Sequence, residues 1–316
     1  MPSVETVTGP VDLDALGLTL VHEHFRFADE AARAQFPRLY DEQAEWAAAL
    51  ADARAVVGHG VKTVVDPNAM LGSRDVGFSR RVAEASGLNV ILATGIYTYD
   101  YLPVLFMTRS EDQIADLYVA DIEEGMQGTE AKAAFIKCAA DQPGLTPNVE
   151  KLHRAAARAS LRTGRPIMAH SHPASGTGLE QMRIFEEEGV DPAKVQIAHT
   201  GDTDDLDYIG RLLERGCWIG MDRYGLDLYL PTDRRNATVL TLLERGHVDR
   251  MMLSQDYCST IDWFPPKVAE QLKASEAADW SMTFLFETVI PYLRGEGMTD
   301  EQLQTMMVAN PRSWLA

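Results

Sequence analysis

The sequence has little of three features that define whole classes of protein. It contains three cysteines in 316 residues, too few for a disulfide framework and suggestive of a reducing compartment. Its 29 basic residues are outnumbered by 47 acidic ones, and the net charge of −18 argues against a nucleic-acid or anionic-membrane partner. No apolar run approaches a membrane-spanning length, and the first residues lack the basic and apolar regions of a signal peptide. These absences favour a cytoplasmic globular protein.

A unit of short apolar run, polar loop and helix-like segment recurs eight times along the chain. The eight runs begin near Leu18, Val61, Asn89, Ala133, Pro166, Val195, Cys217 and Met251. Uninterrupted apolar strands that alternate with helices are typical of a parallel sheet covered by helices. Eight such units predict an α/β protein whose strands close into a (β/α)8 TIM barrel, and the chain length fits that fold.

We expect one domain over residues 1–316, with residues 1–16 as a lead-in and residues 256–279 as a long irregular loop after the last strand. An open, doubly wound sheet is the alternative architecture. That alternative is disfavoured because no Gly-rich phosphate or dinucleotide loop follows the first strand.

Ligand-type side chains lie at the carboxyl ends of five of the eight runs. They are His22 and His24 on the first, Lys137 on the fourth, His170 on the fifth, His199 on the sixth and Asp256 on the eighth. In a barrel these ends converge on the face that carries the active site. One buried histidine is an ordinary core residue, but a whole set of such groups is rarely buried without partners. Four histidines and an aspartate exceed the ligands of one tetrahedral metal and suit two bridged divalent ions that activate water.

Lys137 is the unusual member of this set, because an ammonium group beside two cations would be repelled. In one interpretation the amine is neutral, or pairs with Asp256, and is not a ligand. In the other, burial and nearby cations depress the pKa of the amine, which has reacted with carbon dioxide to form a carbamate. A carbamate is an anion with two oxygens and would bridge two metals. The residues alone leave both interpretations open.

The complete pattern resembles the phosphotriesterase family of the amidohydrolase superfamily, over essentially the whole chain. The motifs that carry the resemblance are Leu20-Val21-His22-Glu23-His24, Phe135-Ile136-Lys137-Cys138 and Gly220-Met221-Asp222-Arg223. Within that family the chain is most similar to the phosphotriesterase-like lactonases. This closer similarity rests on Tyr97 in the loop after strand three, Arg223 after strand seven, and Cys258 and Trp263 in the loop after strand eight.

The resemblance implies a role for each candidate ligand. His22, His24 and Asp256 would bind the more buried metal, and His170 and His199 the more exposed one. Lys137, carboxylated by CO2 to N6-carboxylysine, would bridge the two. These ligand types suit Zn, Co, Mn or Fe alike. The resemblance also implies that the protein is a homodimer.

The implied function is hydrolysis of lactones by a metal-bridging hydroxide. The substrates would be N-acyl homoserine lactones or related γ- and δ-lactones, which would make the chain a quorum-quenching lactonase with promiscuous organophosphate triesterase activity. Asp256 would carry the proton and Tyr97 would hold the substrate or the developing oxyanion. Arg223 would orient loop or substrate groups, and Cys258 and Trp263 would contact the substrate in an apolar channel.

Other functions remain open at this point. One is a phosphotriesterase, or a carboxylesterase or amidase, on the same scaffold. A more remote one is a metal-binding protein without catalytic activity. A binding protein would have no need of a proton-carrying aspartate such as Asp256, so the complete residue set favours an enzyme.

Three other polar residues have expected structural roles. Glu23 points away from its two neighbouring histidines on a strand, so we interpret it as a structural partner rather than a catalytic base. Asp202 precedes the sixth helix and is a plausible N-cap. His153 falls in the predicted helix after the fourth strand, away from the catalytic face, and is expected to be solvated.

Overall fold

The computed structural model of the protein describes residues 2–316. Eight parallel strands form one sheet in which each strand pairs with its neighbours in the chain. Numbered one to eight in chain order, the strands are Leu18–Leu20, Val61–Asp66, Asn89–Gly95, Phe135–Ala139, Ile167–His170, Val195–Ala198, Trp218–Met221 and Met251–Leu253. The predicted α/β class and (β/α)8 TIM barrel are confirmed.

Helices cover the outside of the barrel and fill its connections. They are Glu30–Gln35, Glu42–Gly58, Val76–Ser86, Val104–Met107, Glu111–Glu123, Pro147–Thr163, Thr177–Glu188, Leu206–Glu214, Thr232–Glu244, Pro266–Lys273, Ile290–Gly295, Asp300–Gln304 and Asn310–Leu315. Local chemistry sets their ends. Asp41, Asp75 and Thr146 each accept a backbone N–H at a helix N-terminus, and Gly87 and Gly164 end helices in the left-handed conformation.

Alternate residues of each strand face two different cores. On strand four, Phe135 packs inside the barrel together with Trp314, whereas Ile136 packs against the surrounding helices. The same alternation turns Lys137 inward, two residues after Phe135. His170 ends strand five in the same register row as Ala139 of strand four. The barrel interior is therefore apolar at one end and carries the candidate ligands at the other.

The N-terminal lead-in is a β-hairpin. Strands Ser3–Thr6 and Gly9–Asp12 pair antiparallel, and Val4 belongs to the same inner core as Trp314 near the end of the chain. Both ends of the chain thus cover the floor of the barrel. This arrangement leaves the opposite, carboxyl-terminal face open for a site.

The seam between strands one and eight is closed by side chains as well as backbone. The backbone N–H of His22 donates to the Ser254 hydroxyl over 3.0 Å, and the N–H of Asp256 donates to the His22 carbonyl over 2.9 Å. Beyond the strands, Glu23–His24 and Tyr257–Cys258 form a further parallel pair. The seam therefore continues up to the candidate ligands on both sides.

Glu23 holds this seam together. It is fully buried, and its carboxylate accepts hydrogen bonds from the Ser254 hydroxyl (2.8 Å), the Gln255 backbone and side-chain amides (2.9 and 3.1 Å) and the Tyr257 N–H (2.8 Å). A buried carboxylate needs such donors to replace water. The contacts agree with the structural role expected for Glu23.

The segment after strand eight has more regular structure than the irregular loop expected over residues 256–279. It contains the short strand Tyr257–Cys258 and the helix Pro266–Lys273. The helix is brief and begins at the second of two consecutive prolines, so no long apolar repeat predicts it in the sequence. Within residues 2–316, no helix combines the length and the apolar character needed to cross a bilayer.

We expect Glu23→Ala to lower the free energy of unfolding by about 4 kcal/mol or more, since it leaves four donors without an acceptor and each costs about 1–3 kcal/mol. Chemical denaturation measures this loss, and Glu84→Ala, at an exposed position in the helix Val76–Ser86, is the control. Equal stability of the two variants would contradict the role of Glu23 in the seam.

Candidate metal centre

All six predicted ligands lie together at the carboxyl face of the barrel. Asp256 Oδ1 is 3.0 Å from His24 Nε2 and 3.2 Å from His22 Nε2. Lys137 Nζ lies 3.3 Å from the same His22 nitrogen. The rings of His170 and His199 are 4.4 Å apart between centroids. His22, His199 and Asp256 each offer one ligand atom within 4.8 Å of the others, as a bound metal ion would require. Their roles as ligands stay a prediction.

Asp222, at the end of strand seven, orients two of the histidines at once. Its Oδ2 lies 2.9 Å from His22 Nδ1, and its Oδ1 lies 3.0 Å from His199 Nδ1. The same Oδ1 accepts the backbone N–H of His199 over 2.8 Å. A carboxylate accepts hydrogen bonds only, so both rings carry their proton on Nδ1 and present an unprotonated Nε2.

The other two histidines have separate partners. His24 Nδ1 lies 2.9 Å from the Asn68 carbonyl oxygen Oδ1, which again leaves Nε2 for the centre. His170 is reversed: its Nε2 lies 2.8 Å from Asp141 Oδ2, while its Nδ1 lies 3.2 Å from the Tyr97 hydroxyl. Each of the four rings therefore has one nitrogen held by a partner outside the centre and turns the other nitrogen toward it, where that of His24 lies 3.0 Å from Asp256 Oδ1.

The electrostatics of the site fit divalent cations. Burial lowers the pKa of His22 and His199 below the usual value, and that of His170 to about 4, so these rings are neutral and able to ligate. Burial would raise the pKa of Asp256, but a hydrogen bond from His24 and the guanidinium of Arg223 hold it well below its usual range.

The pKa values of two further groups, His24 and Lys137, are also shifted by their surroundings. Burial alone would lower the pKa of His24, but hydrogen bonds to Asp256 and Asp66 raise it to about 9, which means that positive charge is favoured at that point. Burial also lowers the pKa of Lys137 to about 8. A fraction of that amine is therefore uncharged near neutral pH, as reaction with carbon dioxide requires.

Arg223 contacts the Asp256 carboxylate directly. It is buried, its Nε donates to Asp256 Oδ2 over 2.9 Å, and its Nη1 donates to Asp202 Oδ2 over 2.8 Å. The prediction that Asp202 caps the sixth helix is wrong. Asp205 accepts the helix N–H groups instead, and the buried Asp202 pairs with Arg223 and Arg235.

A cavity of about 290 Å³ opens above the candidate ligands. Tyr97, Cys258 and Trp263, which the sequence singled out, all line it. The Tyr97 hydroxyl lies 2.7 Å from that of Tyr99, and the Tyr97 ring lies 5.9 Å from the ring of Trp263. The walls are largely aromatic and aliphatic, with polar groups concentrated at the ligands. Such a cavity suits an apolar substrate whose reactive group points to the centre.

Sequence reasoning missed most partners of the ligands. Asp222 directly follows strand seven, a signal that could have identified it, whereas Asn68 and Asp141 lie in loops with no local signal. The expectation for His153 is also wrong. Its ring is fully buried, its Nδ1 donates to the Val149 carbonyl over 2.7 Å, and its Nε2 accepts from Gln181 over 3.0 Å.

A (β/α)8 barrel with inward histidines and a carboxylate at its carboxyl face defines a class of metal-dependent hydrolases. The comparisons with known proteins place the chain within this class. The sequence profile described as the phosphotriesterase family matches residues 2–315. The chain belongs to the phosphotriesterase family, as its motifs predicted.

Individual relatives are similar to this chain over nearly its whole length. The chain is 48% identical to an aryldialkylphosphatase of Saccharolobus solfataricus, over 95% of both chains. It is 41% identical to a phosphotriesterase homology protein of Mycobacterium tuberculosis, over 99% of this chain and 97% of the relative. The solved structure of the phosphotriesterase from Mycobacterium tuberculosis superposes with a TM-score of 0.95 at 40% identity, covering 99% of this chain and 98% of that one.

We expect the stability of the protein to fall in mild acid partly through His153. Burial lowers the pKa of His153 from 6.5 to about 4, so the unfolded chain takes up its proton first and stability is lost as the pH falls from 6.5 towards 4. Between pH 7 and pH 5 this group should cost about 2 kcal/mol. The wild type should lose about 2 kcal/mol more unfolding free energy between pH 7 and pH 5 than His153→Leu does, because the variant lacks the titrating ring. Gln181→Leu keeps the ring and should keep the pH dependence, and a constant difference between wild type and His153→Leu would contradict the prediction.

Proposed function

We propose that the protein is a metal-dependent lactonase that opens N-acyl homoserine lactones or related γ- and δ-lactones. The observation that carries the proposal is the position of the Tyr97 hydroxyl. It lies 3.2 Å from His170 Nδ1, at the edge of the ligand set, and lines an otherwise apolar cavity. A hydroxyl there can donate to a carbonyl oxygen of a bound ester, and the apolar walls can hold an acyl chain.

Two divalent ions fit the donor set. His22, His24 and Asp256 would hold the more buried ion, His170 and His199 the more exposed one, and a carboxylated Lys137 would bridge them. When bound, such ions lower the pKa of water and polarise a carbonyl oxygen. Zn, Co, Mn and Fe are all compatible with imidazole and carboxylate ligands.

The protein's own groups have distinct tasks in the proposed reaction. Asp256, ionised because its pKa is low, accepts the proton of the attacking water at its carboxylate and passes it to the leaving alkoxide as the ring opens. Arg223 holds Asp256 by its 2.9 Å contact. Burial raises the pKa of Tyr97 well above its ordinary value, so its hydroxyl stays protonated and can donate to the developing oxyanion.

Hydrolysis of organophosphate triesters is the second candidate activity, favoured by the 48% identity to a protein named aryldialkylphosphatase. The same centre can act on a phosphoryl group, since both reactions need an activated water and a stabilised oxyanion. We propose it as a side activity. An amidase or carboxylesterase on the same scaffold is a weaker alternative, because Tyr97 and the apolar walls do not select for it.

A homodimer is part of the proposal. Large apolar side chains stand exposed in and beside the short helix after strand three: Tyr101, Val104, Leu105 and Met107. Apolar patches of this kind on a water-facing surface are typical of protein interfaces. A second copy of the chain is the partner that we propose for this surface.

We expect Tyr97→Phe to lower kcat/KM for lactones by about 100-fold, the typical cost of removing an oxyanion donor, and to lower that for paraoxon much less. The protein is first stripped by chelator and then reconstituted with Zn²⁺, Co²⁺ or Mn²⁺. The kcat/KM values for a panel of lactones are then compared with the kcat/KM value for paraoxon. Tyr292→Phe, at an exposed position outside the cavity and outside the proposed dimer surface, is the control. An equal loss on both substrates would remove the main support for a lactonase, and metal uptake without turnover of any ester would favour a binding protein.

The carbamate is tested at Lys137. Lys137→Ala should abolish activity, because the bridging anion is lost, and short carboxylic acids added to the variant should restore part of it by supplying two oxygens. Lys267→Ala, on the exposed surface, is the control for loss of a lysine. Unimpaired turnover by Lys137→Ala would exclude a bridging role.

A further inference from the structure

Among the four histidines of the centre, His170 is held differently from the rest. Its ring contacts Asp141, which lies just beyond strand four and is absent from the walls of the substrate cavity. Asp141 Oδ2 is 2.8 Å from His170 Nε2, and the aspartate side chain is 21% exposed whereas the histidine is 1% exposed. The contact thus joins a ligand of the centre to a residue at the protein surface.

This contact decides which nitrogen of His170 faces the centre. A carboxylate only accepts hydrogen bonds, so the ring proton of His170 sits on Nε2 and its Nδ1 carries the free electron pair. That Nδ1 lies 3.2 Å from the Tyr97 hydroxyl, on the substrate side. The rings of His22, His24 and His199 are fixed through Nδ1 instead. Without its partner, His170 would be free to adopt the opposite tautomer or to turn its ring.

The backbone of His170 does not depend on Asp141. The Gln181 side chain donates to the His170 carbonyl over 2.8 Å, and that carbonyl also accepts the N–H of Ala140 over 3.0 Å. Strand five pairs with strand four through Ala139. Removing the Asp141 carboxylate therefore releases the imidazole ring and leaves the strand in place.

We propose that Asp141 is a positioning residue that fixes the Nε2–H tautomer of His170 and thereby sets the affinity of the more exposed metal position. The role rests on the two-metal centre proposed above. The contrast with His199, the other histidine of that position, supports it: His199 Nδ1 is held by the fully buried Asp222, whereas His170 depends on a partly exposed carboxylate. Hydrogen-bond partners of metal-bound histidines typically change metal affinity by about 10- to 100-fold.

Metal binding, measured without substrate, tests the role. Metal-free wild type, Asp141→Ala and Asp141→Asn are dialysed against Zn²⁺ buffered by a graded series of chelator, and bound zinc is counted by mass spectrometry. Asp141→Ala should hold one ion where the wild type holds two, with the weaker ion bound about 10- to 100-fold less tightly. Asp141→Asn should fall nearer the wild type, because an amide oxygen can still accept from Nε2–H. Asp100→Ala, an aspartate in the preceding loop that bonds to Thr146, is the matched control.

A spectroscopic measurement separates positioning from general damage. In metal-free protein with ¹⁵N-labelled histidine, long-range ¹H–¹⁵N correlations should show His170 as the Nε2–H tautomer in the wild type and as a mixture in Asp141→Ala. If wild type and Asp141→Ala bind two ions equally tightly, or if the tautomer of His170 is unchanged in Asp141→Ala, the proposed role of Asp141 is wrong. The two-metal centre would stand in either case. Loss of both ions together in Asp141→Ala would overturn the role of Asp141 as well. A wild type that binds fewer than two ions would instead overturn the two-metal centre on which the role depends.

Discussion

One buried carboxylate, Asp222, fixes the geometry on which the centre depends. Its two oxygens hold His22 and His199, which come from strands at different places in the barrel and serve different candidate metal positions. Placing an ion in the interior is costly, and here the cost is offset by three donors, including the His199 backbone N–H. Because one residue orients both rings, the two halves of the centre cannot be adjusted independently. The outer contacts, at Asn68 and Asp141, act on one histidine each.

The fold and the candidate ligands could be read from sequence because both signals are local. An apolar run predicts a strand, and His170 and Asp256 stand at the ends of such runs. Asp141, a partner that lies in a loop, could not be read from the sequence, because it meets His170 only after strands four and five have paired. Asp202 shows the same limit: an acidic residue before a helix satisfies the rule for an N-cap, yet Asp205 takes that place and Asp202 pairs with two arginines.

The class of reaction and the choice of substrate depend on different parts of the molecule. The strands position the candidate ligands, and the chain belongs to a family whose named relatives include an aryldialkylphosphatase. The loops after strands three, seven and eight contribute Tyr97, Arg223 and Trp263 to the cavity. These loop side chains meet the candidate ligands through few contacts: Arg223 donates to Asp256 over 2.9 Å, and the Tyr97 hydroxyl lies 3.2 Å from His170 Nδ1. Reaction chemistry and substrate choice can therefore diverge separately.

The seam at Glu23 has a consequence for how the protein is made. The contact between His22 and Ser254 spans 232 residues of chain, so it must wait until nearly the whole polypeptide has left the ribosome. Strands two to seven can pair in order during synthesis, but the first strand lacks its last neighbour throughout. The candidate metal centre thus forms at the end of folding and cannot guide its early steps. A nascent chain that stalls before residue 254 would expose an unpaired strand edge.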